Sequence, residues 1–127
     1  MSEAQPDARS DARDLTAFQK NILTVLGEEA RYGLAIKREL EEYYGEEVNH
    51  GRLYPNLDDL VNKGLVEKSE LDKRTNEYAL TNEGFDAVVD DLEWTLSKFV
   101  ADADRRERVE TIVADDAAAL EHHHHHH

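Results

Sequence analysis

The spacing of apolar residues predicts a mainly α protein with one small β-hairpin. Apolar positions recur with a helical period from Leu15 to Val61. The period drops to two between Leu65 and Leu80, and becomes helical again from Phe85 onward. Glycines at 27, 45 and 64 close the first three stretches and set the boundaries.

Residues 1–13 have no apolar period and read as a disordered amino-terminal tail. Leu15, Phe18, Ile22, Val25 and Leu26 mark the first helix, with Thr16 or Asp14 as cap and Gly27 as stop. The second helix is predicted from Tyr32 to Tyr44. Leu34, Ile36, Leu40 and Tyr43 or Tyr44 form its apolar side, and Gly45 ends it. A third helix is expected between Asn49 and Lys63, capped by Asn49, with Leu53, Leu57, Leu60 and Val61 as its stripe. Pro55 lies past the first turn of that helix and should distort it. Residues 65–70 and 76–80 alternate as two strands, with Val66, Tyr78 and Leu80 facing inward, around a polar turn that holds Lys73 and Arg74. Thr81 or Asn82 caps a last, long helix. Phe85, Val88, Val89, Leu92, Leu96, Phe99, Val100 and Ala103 keep one face of it. Val109, Ile112 and Val113 then project from another side, so either the helix breaks near Arg105 or a second surface is buried there. Trp94 falls off the first stripe. It packs at an interface or lines a small-molecule pocket there, and packing is the preferred reading. Arg105, Arg106 and Arg108 read as partners of neighbouring carboxylates at helical spacing.

The chain has 127 residues, with 29 acidic against 15 basic side chains and a formal charge of −14. Leu120–His127 reads as a vector-encoded tag and Ala117–Ala119 as a cloning scar, so 117–127 are set aside. His50 is then the one native histidine, and there is no cysteine. Disulfides, thiolate chemistry and cysteine-based zinc sites are excluded, and a single chain holds no conventional triad. With no recognisable acid–base pair or phosphate loop, no enzyme and no cofactor are expected. No apolar run approaches the ~20 residues of a membrane span, and the amino terminus is polar, so a soluble cytoplasmic protein is expected. The acidity reads as the solvated surface of a halophile, where molar salt shortens the Debye length to ~3 Å and self-repulsion costs little. Bound inorganic ions are admitted as further partners.

Three helices, a hairpin and a further helix make a winged helix-turn-helix. Residues 14–81 are assigned to this DNA-binding unit and 82–116 to the carboxy-terminal helix. The third helix is placed to enter a major groove, with the hairpin as the wing. Tyr32-Gly33, the run from Gly51 to Leu60 with its Leu53-Tyr54-Pro55 triplet, Lys63-Gly64-Leu65-Val66 and the run from Tyr78 to Gly84 resemble the PadR family of transcriptional regulators. With the acidity, the chain is most similar to haloarchaeal members. The resemblance implies a homodimer on double-stranded DNA. It is joined through the last helix, here by Phe85, Val88, Val89, Leu92, Leu96, Phe99 and Val100, often with help from the first helix. It also implies that Tyr54 touches the DNA backbone while its ring packs; Pro55 of the same triplet is counted with it.

Arg52 reads as a guanine or phosphate contact, projecting away from its helix's core stripe. Asn49 caps, touches DNA, or does both. His50 is either a phosphate or base contact or a plain surface side chain. Lys73 and Arg74 at the wing tip, and more weakly Lys37 and Arg38, are backbone-contact candidates. The first functional expectation is a sequence-specific regulator, repressing by blocking a promoter. It binds a pseudo-palindromic operator in high salt, with a stress response as one setting for it. The alternative, favoured by Asp58-Asp59, is a winged helix that docks on protein within a transcription assembly. Ionic strength, a small ligand at the dimer interface and control by abundance are left open as its signal.

Overall fold

The computed structural model describes residues 14–72 and 75–125, and the side chains as far as 117 apart from Lys73 and Arg74. The expected tail at 1–13 lies outside them, as do both of those wing-tip cations. The elements are α1 (Ala17–Leu26), β1 (Arg31–Tyr32), α2 (Gly33–Tyr44), α3 (His50–Asn62), β2 (Val66–Glu70), β3 (Asn76–Leu80), α4 (Asn82–Phe99) and α5 (Ala103–His125). Among the described residues, no helix is long and apolar enough to cross a membrane.

Thr16 rather than Asp14 starts α1. Its hydroxyl accepts the Gln19 N–H while the Gln19 side chain reaches back to the Thr16 N–H, a capping box. Phe18, Ile22, Leu23 and Leu26 of α1 meet Ile36 and Leu40 of α2 and Leu53, Leu57 and Leu60 of α3 in one core. Leu65, Val66, Tyr78 and Ala87 close it from the sheet side and from α4. Leu34, expected on the apolar side of α2, is 52% exposed, because Ile36 and Leu40 already fill the contact with α1. Tyr44, not Tyr43, is the aromatic that packs inward. Gly45 and Gly64 both stand at positive φ, and at the second the Leu65 N–H returns to the Leu60 carbonyl across the turn.

The hairpin gains a third strand. Arg31 and Tyr32 pair antiparallel with Tyr78 and Glu77, giving the order β1-β3-β2. Two residues are too short to show a period, which is why the sequence reads Tyr32 as helical instead. Tyr32 is both the end of β1 and the residue that caps α2. Proline 55 does not interrupt α3, which runs unbroken through it.

The chain forms two compact units, Met1–Asp91 and Leu92–His127. The early turns of α4 belong to the first. Gly84 sits so close to the Leu65 carbonyl that a Cβ there would collide with backbone. Gly84→Ala is therefore expected to cost about 2 kcal/mol, lowering the melting temperature by roughly 8–16 °C. An unchanged melting curve would show that α4 can shift away from Leu65 at no cost.

The last helix is not continuous over 82–116. Residues 100–102 are not helical, and the Asp102 carboxylate accepts the Arg105 N–H at 2.9 Å to open α5. The break thus falls just before Arg105, at a capping aspartate that a stripe of apolar residues does not reveal. Arg106 meets Glu110 at 3.7 Å, an i,i+4 pair of the kind expected for the arginine run.

Candidate nucleic-acid interface

Helices α2 and α3 form the helix-turn-helix, and α3 has three separable sides. Leu53, Leu57 and Leu60 face the core. Gly51, Pro55, Asp58 and Asn62, spaced i, i+4, i+7 and i+11, are all exposed and form its outer stripe. Asn49 caps the helix by accepting the Arg52 N–H at 2.8 Å, so its side chain is engaged with the backbone.

One flank carries His50 and Tyr54, whose rings lie 5.5 Å apart. Tyr54 is half-buried, and its hydroxyl lies against Gly33 where any side chain would intrude. It forms a wall of a groove of about 440 Å³ with Tyr32, Leu34, Arg38, Thr75 and Tyr78. The groove lies between the amino end of α2, which has no side-chain cap, and the base of the wing, and Arg38 is among the residues that line it. Burial pushes the Tyr78 phenol up, with Asp58 and Tyr54 adding to the shift, so it stays neutral beside this groove.

The other flank carries Arg52. The residue is exposed, but its guanidinium lies 4.0 Å above the centre of the Phe18 ring and 5.9 Å from that of Tyr44. It points along the α1 side instead of straight off the outer stripe, because two aromatic faces hold the cation there. Lys37 is likewise engaged. Its amine sits 2.7 Å from Glu41, with only 18% of the side chain exposed, which turns it from solvent into the protein's own carboxylate.

Glu41 also accepts the Val48 N–H at 2.9 Å, tying the turn before α3 to α2. The Lys37 hydrogen bond, then that from Val48, hold the Glu41 carboxyl below its ordinary range. Asp59 is lowered too, first by Gln19 and then by Lys63. The folded chain therefore binds these protons more weakly than the unfolded chain. The stability they contribute is present above the ordinary carboxylate pKa and is lost as pH falls through the lowered values. Melting temperature is expected to fall below about pH 5, and less steeply in Glu41→Gln. An identical acid limb in that variant would exclude Glu41 as a source.

Of the residues singled out from sequence, His50, Tyr54 and Pro55 share the open side of α3, and Arg38 joins Tyr54 in the groove. Arg52 and Lys37 are drawn to intramolecular partners. Gln19, Phe18 and Tyr44 escaped attention as contributors to this region. The spacing Thr16-x-x-Gln19 is that of a capping box, a signal that would mark Gln19 only as part of a helix start. Among the described residues, no group of three His, Asp or Glu side chains is placed to hold a metal ion.

Phe85, Val89, Leu92 and Phe99 on α4 are 58%, 40%, 53% and 62% exposed. With half-buried Leu96 they alternate at steps of four and three residues, the spacing of a coiled-coil seam. Val88 does not belong to this seam, since it packs on the chain's own core, and Val100 lies past the helix end.

The family described as "Transcriptional regulator PadR-like family" matches residues 22–89. A transcriptional regulator from Clostridium thermocellum is 27% identical with a TM-score of 0.53, over 63% of this chain and 84% of that one. A PadR family transcription regulator from Clostridium difficile is 24% identical with a TM-score of 0.56, over 65% of this chain and 92% of that one. Bacillus subtilis PadR in complex with operator DNA is 23% identical with a TM-score of 0.52, over 61% of this chain and 48% of that one. No curated protein matches the chain.

Proposed function

Because the chain belongs to the PadR-like family of transcriptional regulators, we propose that it is a homodimeric, sequence-specific regulator that binds a pseudo-palindromic operator. The observation that carries this reading is the open side of α3. His50 and the stripe from Gly51 to Asn62 are exposed, with Tyr54 packed at the edge of the core, beside a groove lined by the amino end of α2 and Arg38. An α-helix so presented fits a major groove, and the groove beside it fits a phosphate of the same duplex. Lys73 and Arg74, which lie between the two strands in the sequence, are proposed as backbone contacts, and Asn49 caps α3 next to His50. The solved structure of PadR from Bacillus subtilis in complex with operator DNA supports DNA as the partner.

In this proposal two copies pair through Phe85, Val89, Leu92, Leu96 and Phe99, and the operator's half-sites lie ~34 Å apart, one helical turn. Occupying a promoter this way represses by exclusion. The net charge of −14 suits a saline, haloarchaeal cytoplasm in which cations cover the carboxylates, and a stress response is the regulatory setting the resemblance suggests. The exposed Asp58 favours a second reading, in which α3 docks on a basic protein surface. Repeated selection from a random 30-base-pair duplex library in potassium chloride tests the proposal. Enrichment of an inverted repeat is expected. Recovery of unselected sequence, round after round, would overturn DNA reading in favour of the docking module.

A further inference from the structure

The side of α3 turned toward α1 is occupied by a polar network that the reading of α3 as a probe does not require. Gln19 is 6% exposed. Its carboxamide nitrogen donates to Asn56 Oδ1 at 3.0 Å and to Asp59 Oδ2 at 2.9 Å, while its oxygen accepts from the Thr16 N–H. Both amide hydrogens are thus spent on two successive turns of α3. Asn56 in turn donates to the Arg52 carbonyl at 2.7 Å, and Lys63 meets Asp59 at 3.2 Å. Directly beside Gln19, the Phe18 ring carries the Arg52 guanidinium.

We propose that Gln19 is a positioning residue for DNA recognition. It fixes the rotation of α3 about its own axis and holds the Asp59 carboxylate off the DNA-facing stripe. The physical argument has two parts. Packing of three leucines sets which face of α3 meets the core, but apolar contact is non-directional and leaves small rotations of the helix cheap. Two hydrogen bonds from one buried carboxamide to residues 56 and 59 are directional, and rotating α3 would leave a buried amide hydrogen unpaired. Asp58 and Asp59 are adjacent in sequence yet differ in fate. Asp58 is exposed on the outer stripe, whereas Asp59 is drawn to the α1 side by a neutral donor and a lysine. A carboxylate rolled toward the phosphates would repel them, so the angle of α3 bears directly on binding.

The inference rests on the DNA-binding reading, and its test separates the two. The full-length wild-type chain first selects duplexes from the random library, and affinity is then measured for the enriched duplex and for a scrambled one. Gln19→Met keeps the length and volume of the side chain but removes both donors. Gln19→Glu puts a carboxylate against Asp59. Both are expected to lower the ratio of enriched to scrambled affinity about tenfold while circular dichroism remains that of a folded chain. Gln19→Glu with Asp59→Asn exchanges donor and acceptor across the 19–59 pair but leaves Asn56 Oδ1 facing an acceptor, so it is expected to recover the ratio in part, by about threefold over Gln19→Glu alone. A purely structural role would instead lower the melting temperature and weaken both duplexes alike. Ratios unchanged in folded Gln19→Met, or no recovery in the exchanged pair, overturn the inference while DNA reading stands. Should Gln19→Met unfold, the exchanged pair decides by itself. Failure of the wild type to enrich any sequence overturns the DNA reading, and this inference with it.

Discussion

Leu92→Glu is expected to make the protein a monomer and to weaken operator binding by about 100-fold or more. Leu92 sits at the middle of the Phe85–Phe99 seam and is 53% exposed in the single chain. The exposed seam is larger than a lone surface leucine warrants, and a second copy of α4 supplies the same spacing to cover it. A glutamate there must either lose its water or hold the helices apart, and each outcome defeats pairing. Once separated, each chain holds one half-site. The second recognition helix no longer binds at the high effective concentration that the dimer provides. Sedimentation equilibrium and gel shift on the selected operator measure the two effects. Trp94 lies off the seam, exposed and with its ring next to Lys98, so, against the interface packing expected from the sequence, Trp94→Ala is the comparison that should leave this dimer intact. A Leu92→Glu protein that remains dimeric would move the interface elsewhere. A monomer with full operator affinity would remove the need for symmetry.

The second large effect concerns salt. A conventional protein that neutralises 6–10 phosphates loses ~10³–10⁵ in affinity between 50 and 200 mM salt, because counterions must be released against a rising concentration. Here the surface near α3 carries Glu46, Glu47 and Asp58, all exposed. These groups repel the duplex at low salt, and screening them offsets counterion release. Affinity is therefore expected to be flat or to rise with potassium chloride over part of the range. Glu46→Gln, Glu47→Gln and Asp58→Asn together should restore a falling slope. Asp59 contributes less than its sequence position suggests, being paired to Gln19 and Lys63. A steep decline from the lowest salt in the unaltered protein would refute this balance.

Much of the architecture can be read from local pattern. The helical period to Val61, its change to two between Leu65 and Leu80, and the glycines at 45 and 64 each report what neighbours in sequence do to one another. The Thr16 cap, the Asn49 cap and the Leu53-Tyr54-Pro55 triplet are equally local, so fold class and family follow from them. The candidate interface was harder to read. Exposure of His50 and Pro55 follows from the position of the core stripe on α3, with half-buried Tyr54 at its edge. The fates of Arg52 and Lys37 depend on Phe18, Tyr44 and Glu41.

Local spacing along the chain therefore settled the four helices up to Phe99, the hairpin and their order, but not β1, the break before Ala103 or the exposure of Leu34. The three-dimensional packing alone decided that Arg31 and Tyr32 join the sheet, that Val88 leaves the α4 seam for the core, and that Gln19 reaches α3 across 37 and 40 residues. Periodicity arises from backbone geometry and is written into consecutive residues. A cation's choice between a solvent phosphate and a neighbouring ring, or an amide's choice of acceptor, depends on which distant side chains the fold brings within reach.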